Sequence, residues 1–170
     1  VALTIEDGSI VEDADSYATV DELRAFAAKR GKVVPVGDEA CETLLIRAMD
    51  WLEAQEPRFR GCRAYVDQPL SWPRTGAERP DGRSYYPINE IPSGLKQAQM
   101  ALAIEVQKVE AQPTRAPNAV GAVTGRKVGS LEVTYAEPWS QLTQPVFGVV
   151  EGFLVNLMRG GNGTVRVVRA

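Results

Sequence analysis

The chain has 170 residues, 44% hydrophobic and 24% charged, which fits one globular domain able to bury an apolar core. Its formal net charge of −3 argues against coating nucleic acid by bulk attraction, while leaving room for a local basic face. Histidine is absent, which excludes Ser-His-Asp and Cys-His catalysis, the HExxH metal helix and Cys/His zinc modules. No CxxC pair exists, and the reading favours two buried free thiols, Cys41 and Cys62, over a disulfide. GAVTGRK at 121–127 is one residue short of a phosphate loop and has Val128 where a magnesium-binding hydroxyl belongs. The acidic, polar start does not resemble a signal peptide, and no apolar run approaches the roughly 20 residues of a membrane span. No cofactor, metal or membrane partner is expected.

Residues 1–21 carry Glu6, Asp7, Glu12, Asp13, Asp15 and Asp21 without a basic residue, so a solvated acidic arm is expected, with a turn at Asp7-Gly8. Thr19-Val20-Asp21-Glu22 has the form of a capping box opening a helix over about 20–30, with Gly31 as its stop. A second helix is expected from about Asp38 to Glu56, its apolar face made of Leu44, Leu45, Ala48, Met49, Trp51 and Leu52, with Pro57 ending it. Residues 58–92 then form a long irregular connection whose basic residues are all arginines. A loop of that length inside a compact domain is uncommon and usually functional. Ile88 and Ile91 are expected to bring it back to the core.

The third helix is expected from Ser93 as N-cap towards Pro113, with Leu95, Ala98, Leu102, Ile104, Val106 and Val109 as its apolar positions. Its alanines permit close helix or subunit packing. Residues 114–122 read as a linker. From Val123 the period becomes two, and in GSLEVTYA Leu131, Val133 and Tyr135 share a face, predicting a hairpin over about 123–136. A short apolar helix follows Pro145, broken at Gly160-Gly161-Asn162-Gly163, and TVRVVRA closes the chain as a strand-like tail. The expected fold is therefore mainly α: a small helical bundle with an arginine-rich internal loop, a later hairpin and a strand-like C-terminal tail. Its parts are a helical core over 1–113, the linker 114–122, and a hairpin, short helix and docking tail over 123–170, all in one structural unit.

In order, DSYATVDELRAFAAKRG, ETLLIRAMDWLE, FRGCRAYVDQPLSWPRTGAERPDGR, IPSGLKQAQMALAIEV, KVGSLEVTYAEP and GNGTVRVVRA resemble the head–tail connector (adaptor) proteins of tailed bacteriophages. Some members of that family carry the label of DnaT-like single-stranded-DNA-binding protein. The likeness covers nearly the whole chain, and QPLSWPR between the second and third helices is its most specific motif. The longer arginine-rich loop after Trp72 and the stretch PTRAPNAVGAVTG depart from the pattern. The resemblance implies a structural virion protein without enzymatic activity. About twelve copies would form a ring under the portal, by heterologous contacts that close by rotation. That ring would sit in the neck between capsid and tail, having assembled in the host cytoplasm. Its implied partners are other copies of the chain, the portal protein, the next tail or neck protein, and double-stranded DNA passing through without sequence reading.

On this reading Pro69, Leu70, Trp72 and Pro73 form a structural staple. The prolines fix φ and extend the residues before them, and the indole buries against the second and third helices for roughly 2–3 kcal/mol. The sharper alternative is a phosphate cradle of Arg74 with Gly76 and Gly82, which lacks a helix N-terminus to supply amides. Arg74, Arg79, Arg83, Arg126 and Lys127 are candidates for lining the channel or pairing across subunits. Thr164, Val165, Arg166, Val167, Val168 and Arg169 are candidates for docking on the portal or a neighbouring subunit by strand addition. Two rivals remain. A single-stranded-DNA-binding module would stack bases on Trp72, Tyr85 and Tyr86 beside the arginines, and a hydrolase would use paired carboxylates, though none stands at a meaningful spacing.

Overall fold

The computed structural model describes residues 3–108, 123–127, 132–135 and 147–159. Helix α1, Val20–Ala28, starts where its capping box dictates. The Glu22 amide donates to Thr19 Oγ1 at 3.1 Å, and the Thr19 amide donates back to Glu22 Oε2 at 2.8 Å. Leu23, Phe26 and Ala27 face inward, and Gly31, with φ 61°, turns the chain away. Helix α2, Asp38–Ala54, buries the whole expected face of Leu44, Leu45, Ala48, Met49, Trp51 and Leu52, together with Cys41. A 3-10 turn, Glu56–Arg58, follows it.

Helix α3, Ser93–Glu105, is the centre of the core, packed by α1, α2 and the later α4, Gly148–Leu154. Leu95 and every residue from Ala98 to Ile104 are buried, as a helix covered on all sides requires. Its small residues serve packing within the chain: a Cβ on Gly94 would lie 2.9 Å from the Phe153 carbonyl of α4. Pro92, not Ser93, stands at the N-cap, and Ser93 is exposed without a capping bond. The helix ends at Glu105, short of Pro113, and Val109 lies outside the described residues.

The mainly α reading holds, with three further differences from expectation. The segment 6–15 is not a solvated arm. Its Glu6 is buried and accepts the amides of Gly8 at 2.7 Å, Ile10 at 3.0 Å and Val11 at 2.9 Å. This carboxylate closes a tight loop in which Ile10 takes a left-handed φ of 64°, a conformation rare for a β-branched residue. Ile88 is exposed and only Ile91 packs on the core. Both cysteines are free, but Cys62 is exposed.

Residues 3–108 and 147–159 belong to one compact unit, so α4 groups with the first helices and not with the hairpin. The hairpin belongs to a second unit. Its strands, Val123–Lys127 and Glu132–Tyr135, pair antiparallel with Val123 opposite Tyr135 and Lys127 opposite Glu132, and an irregularity lies between Val123 and Gly125. The turn at Gly129-Ser130, the linker 114–122 and the tail 164–170 lie outside the described residues. Numbered in chain order, these two strands are β3 and β4, since a smaller pair precedes them.

Candidate functional site

The connection between α2 and α3 is ordered by its own polar side chains. Strands β1, Cys62–Arg63, and β2, Arg74–Thr75, pair antiparallel and close a loop over residues 64–73. Gln68 fills that loop: its amide nitrogen donates to the carbonyls of Leu70 at 2.6 Å and Pro73 at 3.0 Å, and its oxygen accepts the Tyr65 amide at 2.9 Å. Arg63 grips both oxygens of Glu56 at 2.6 Å and donates to the Gln68 carbonyl at 2.8 Å. That two-pronged contact is the strong form of ion pair, and it holds the Glu56 carboxyl below its usual range.

Arg74 is the buried member of the arginine set, 4% exposed. Its guanidinium donates to the carbonyls of Arg60 at 2.8 Å, Gly61 at 2.9 Å and Ser71 at 3.1 Å, with Glu56 at 3.7 Å. Gly61 makes this possible: its φ is 71°, and a Cβ there would meet the Thr75 carbonyl at 2.3 Å. The phosphate cradle of Arg74, Gly76 and Gly82 is therefore not assembled. Arg74 already has its acceptors, and both glycines take left-handed φ as turn residues.

The staple residues divide. Trp72 is fully buried, edge-on to Phe59 at 6.3 Å and Tyr86 at 5.6 Å, through a cis peptide to a buried Pro73. Leu70 is also buried, whereas Pro69 is exposed. The Trp72 amide donates to the Tyr17 hydroxyl at 3.0 Å, and that hydroxyl lies 3.4 Å from Glu53 Oε1. Glu53 in turn accepts the Ser71 amide at 3.1 Å and hydroxyl at 2.6 Å. Burial raises the Glu53 carboxyl and pushes the Tyr17 phenol well up. Buried Gln99 of α3 accepts the Tyr17 amide at 3.0 Å and donates to Ser16 Oγ at 2.8 Å and the Leu45 carbonyl at 3.2 Å. Sequence reading missed Tyr17, Gln68 and Gln99. A glutamine set between Ala98 and Met100 in the apolar stretch of α3, two residues after the half-buried Gln97, is the one signal that pointed to the last.

The remaining candidates sit apart. Arg79 pairs with Glu90 and lies over the Tyr86 ring at 4.8 Å. Arg83 is exposed on a turn fastened by Asp81, which accepts the amides of Arg83 and Ser84. Arg126 and Lys127 lie on β3, and Thr164 to Arg169 fall outside the described residues. The surface of the connection presents Tyr65 and Val66 at the β1–β2 loop and Tyr85 near Arg83, with Val66 91% and Tyr85 65% exposed. Among the described residues no group of three or more acidic or cysteine side chains could hold a metal ion, and no helix is long and apolar enough to cross a membrane.

A family model described as "Putative DnaT-like ssDNA binding protein" matches residues 1–170. The chain belongs to that family. No curated protein and no solved structure matches it.

Proposed function

We propose that the chain is a structural subunit of a tailed-phage neck, a head–tail adaptor. About twelve copies close into a ring beneath the portal, extend the DNA channel and offer the next tail component a docking surface. The subunit catalyses no reaction and resides in the virion after assembly in the host cytoplasm. One observation carries this reading: the long α2–α3 connection, usually the place for a site, is fastened to itself and, through Ser71 and Trp72, to Glu53 of α2 and to Tyr17. Its buried polar groups, Gln68, Ser71 and Arg74, are committed to carbonyls and a carboxylate within the chain, which suits a rigid shape presented to neighbours. The sequence likeness, centred on QPLSWPR, supports the same reading. In it the tail 164–169 docks on the portal or a neighbour, and Arg126 and Lys127 face the channel.

The test is recruitment. Tail-less heads bearing a portal, incubated with the purified chain, should take up about as many copies as the ring requires, and then accept the next tail component. Heads that ignore the chain would sink the adaptor reading.

The family's description favours a second reading, a single-stranded-DNA-binding module. Tyr65 and Tyr85 are exposed rings of the kind on which bases stack, while Trp72 is buried and unavailable. Fluorescence anisotropy with a thymidine oligonucleotide and a duplex of equal length separates the two. A strong preference for the single strand supports the module; an equal or greater affinity for duplex supports the channel subunit.

A further inference from the structure

Segments 58–60 and 157–159 run side by side. Phe59 and Met158 form an antiparallel bridge and both are buried. The Arg159 amide donates to the Arg58 carbonyl at 2.7 Å, and the Arg60 amide to the Leu157 carbonyl at 2.9 Å. Leu157, opposite Arg60, is buried as well, so Arg58, Arg60 and Arg159 are the side chains around this bridge that reach solvent. Arg58 and Arg159 are exposed, and Arg60 is about a third exposed.

Opposite positions across two paired segments bring side chains within about 5 Å, where like charges repel. Arg58 and Arg159 stand opposite each other in this way. Among the described residues the carboxylate within ion-pair distance of the trio is Glu78, at 3.4 Å from Arg60. Arg58 donates instead to the Gln55 amide oxygen at 2.8 Å, and Arg159 to the Gly61 carbonyl at 3.3 Å. Glu56, in the same 3-10 turn as Arg58, is taken by Arg63 and Arg74. The acidic residues that give the chain its net negative charge are concentrated elsewhere, in residues 6–22.

We infer that Arg58, Arg60 and Arg159 form a contact face for the phosphodiester backbone of nucleic acid, read without sequence preference. Phosphates placed between Arg58 and Arg159 relieve their mutual repulsion, and each guanidinium keeps donors free for them. This assigns the backbone contact to residues outside the loop arginines that sequence reading singled out. It rests on the proposal that the chain meets nucleic acid, whether the channel duplex or a single strand.

The test uses the full chain and fluorescein-labelled 20-mers, single-stranded and duplex, with affinity followed from 50 to 200 mM salt. The wild-type log–log slope should fall in magnitude by about 1.8 on duplex, or about 1.4 on single strand, when Arg58→Gln and Arg159→Gln are combined. Arg58→Lys with Arg159→Lys should keep most of the slope, and Lys29→Gln, at an exposed lysine after α1, should leave it unchanged. Should the glutamine pair fail to fold, Arg159→Gln alone gives half the effect. A glutamine pair that binds with wild-type slope overturns the face while leaving nucleic-acid binding intact. A wild-type chain that binds neither oligonucleotide overturns both. A slope that behaves as stated in a chain that portal-bearing heads ignore removes the adaptor reading and leaves the face standing.

Discussion

Trp72 offers the sharpest test of the fastened connection. Its ring is fully buried between Phe59 and Tyr86, at 6.3 and 5.6 Å, both residues of the connection itself and not of α2 or α3, and it ties the two ends of the connection together. Trp72→Ala removes that ring from a site held on both sides, so it should destabilise by about 3–5 kcal/mol. Against a total of about 5–15 kcal/mol for a domain, this is a large share. For a chain of this length it corresponds to a fall in Tm of about 6–20 °C. The indole Nε1 is buried without a hydrogen-bond partner among the described residues, so Trp72→Phe loses volume but none of the described bonds. It should cost no more than about 1.5 kcal/mol. Urea unfolding followed by far-UV circular dichroism compares the three proteins without relying on the altered fluorophore. Trp72→Ala within about 1 kcal/mol of wild type would show that the connection is not sealed by this ring.

Arg74→Lys should lose about 1–3 kcal/mol although charge is kept, because an ammonium cannot span the carbonyls of Arg60, Gly61 and Ser71; urea midpoints check it. Glu6→Gln replaces an acceptor of three amides with a group that has only one acceptor oxygen. It should cost about 1–3 kcal/mol and speed hydrogen exchange at Ile10 and Val11. Glu56 has a lowered pKa, so its stabilising share is complete above the unfolded value of 4.5 and fades as pH falls through the lower folded value. Glu56→Gln should therefore be less stable than wild type at pH 7 and converge with it towards pH 3, as read from urea midpoints. Glu53 has the opposite sign: burial raises its pKa, so ionising it as pH rises through the folded value opposes folding.

Local rules carried much of the fold. The capping box at Thr19 and Glu22 involves residues three apart, and both of its bonds form. The α2 face follows from helical spacing alone, and its six expected residues are all buried. The burial of Trp72 was legible because two flanking prolines and an aromatic ring leave few other uses for such a segment. What stayed hidden is long-range and polar. Gln99 meets Tyr17 and Ser16 across more than eighty positions, and Tyr17 meets Trp72 across fifty-five. No spacing rule connects such residues. Glu6 looked like one more solvated acid because its partners are backbone amides, which leave no mark in the sequence. The loop arginines misled for a related reason. Arg74 and Arg79 find their acceptors within the chain, and Arg58 and Arg159 come together from segments about a hundred positions apart.

The central claim is that these side chains fit a subunit among its neighbours in a particle. Quantitative mass spectrometry of purified tailed particles, with the chain counted against the portal protein, tests it most directly. The account predicts about twelve copies per particle, matching the portal and staying with the neck when heads and tails are separated. Particles free of the chain, with the chain recovered instead on single-stranded DNA in the infected cell, would contradict it.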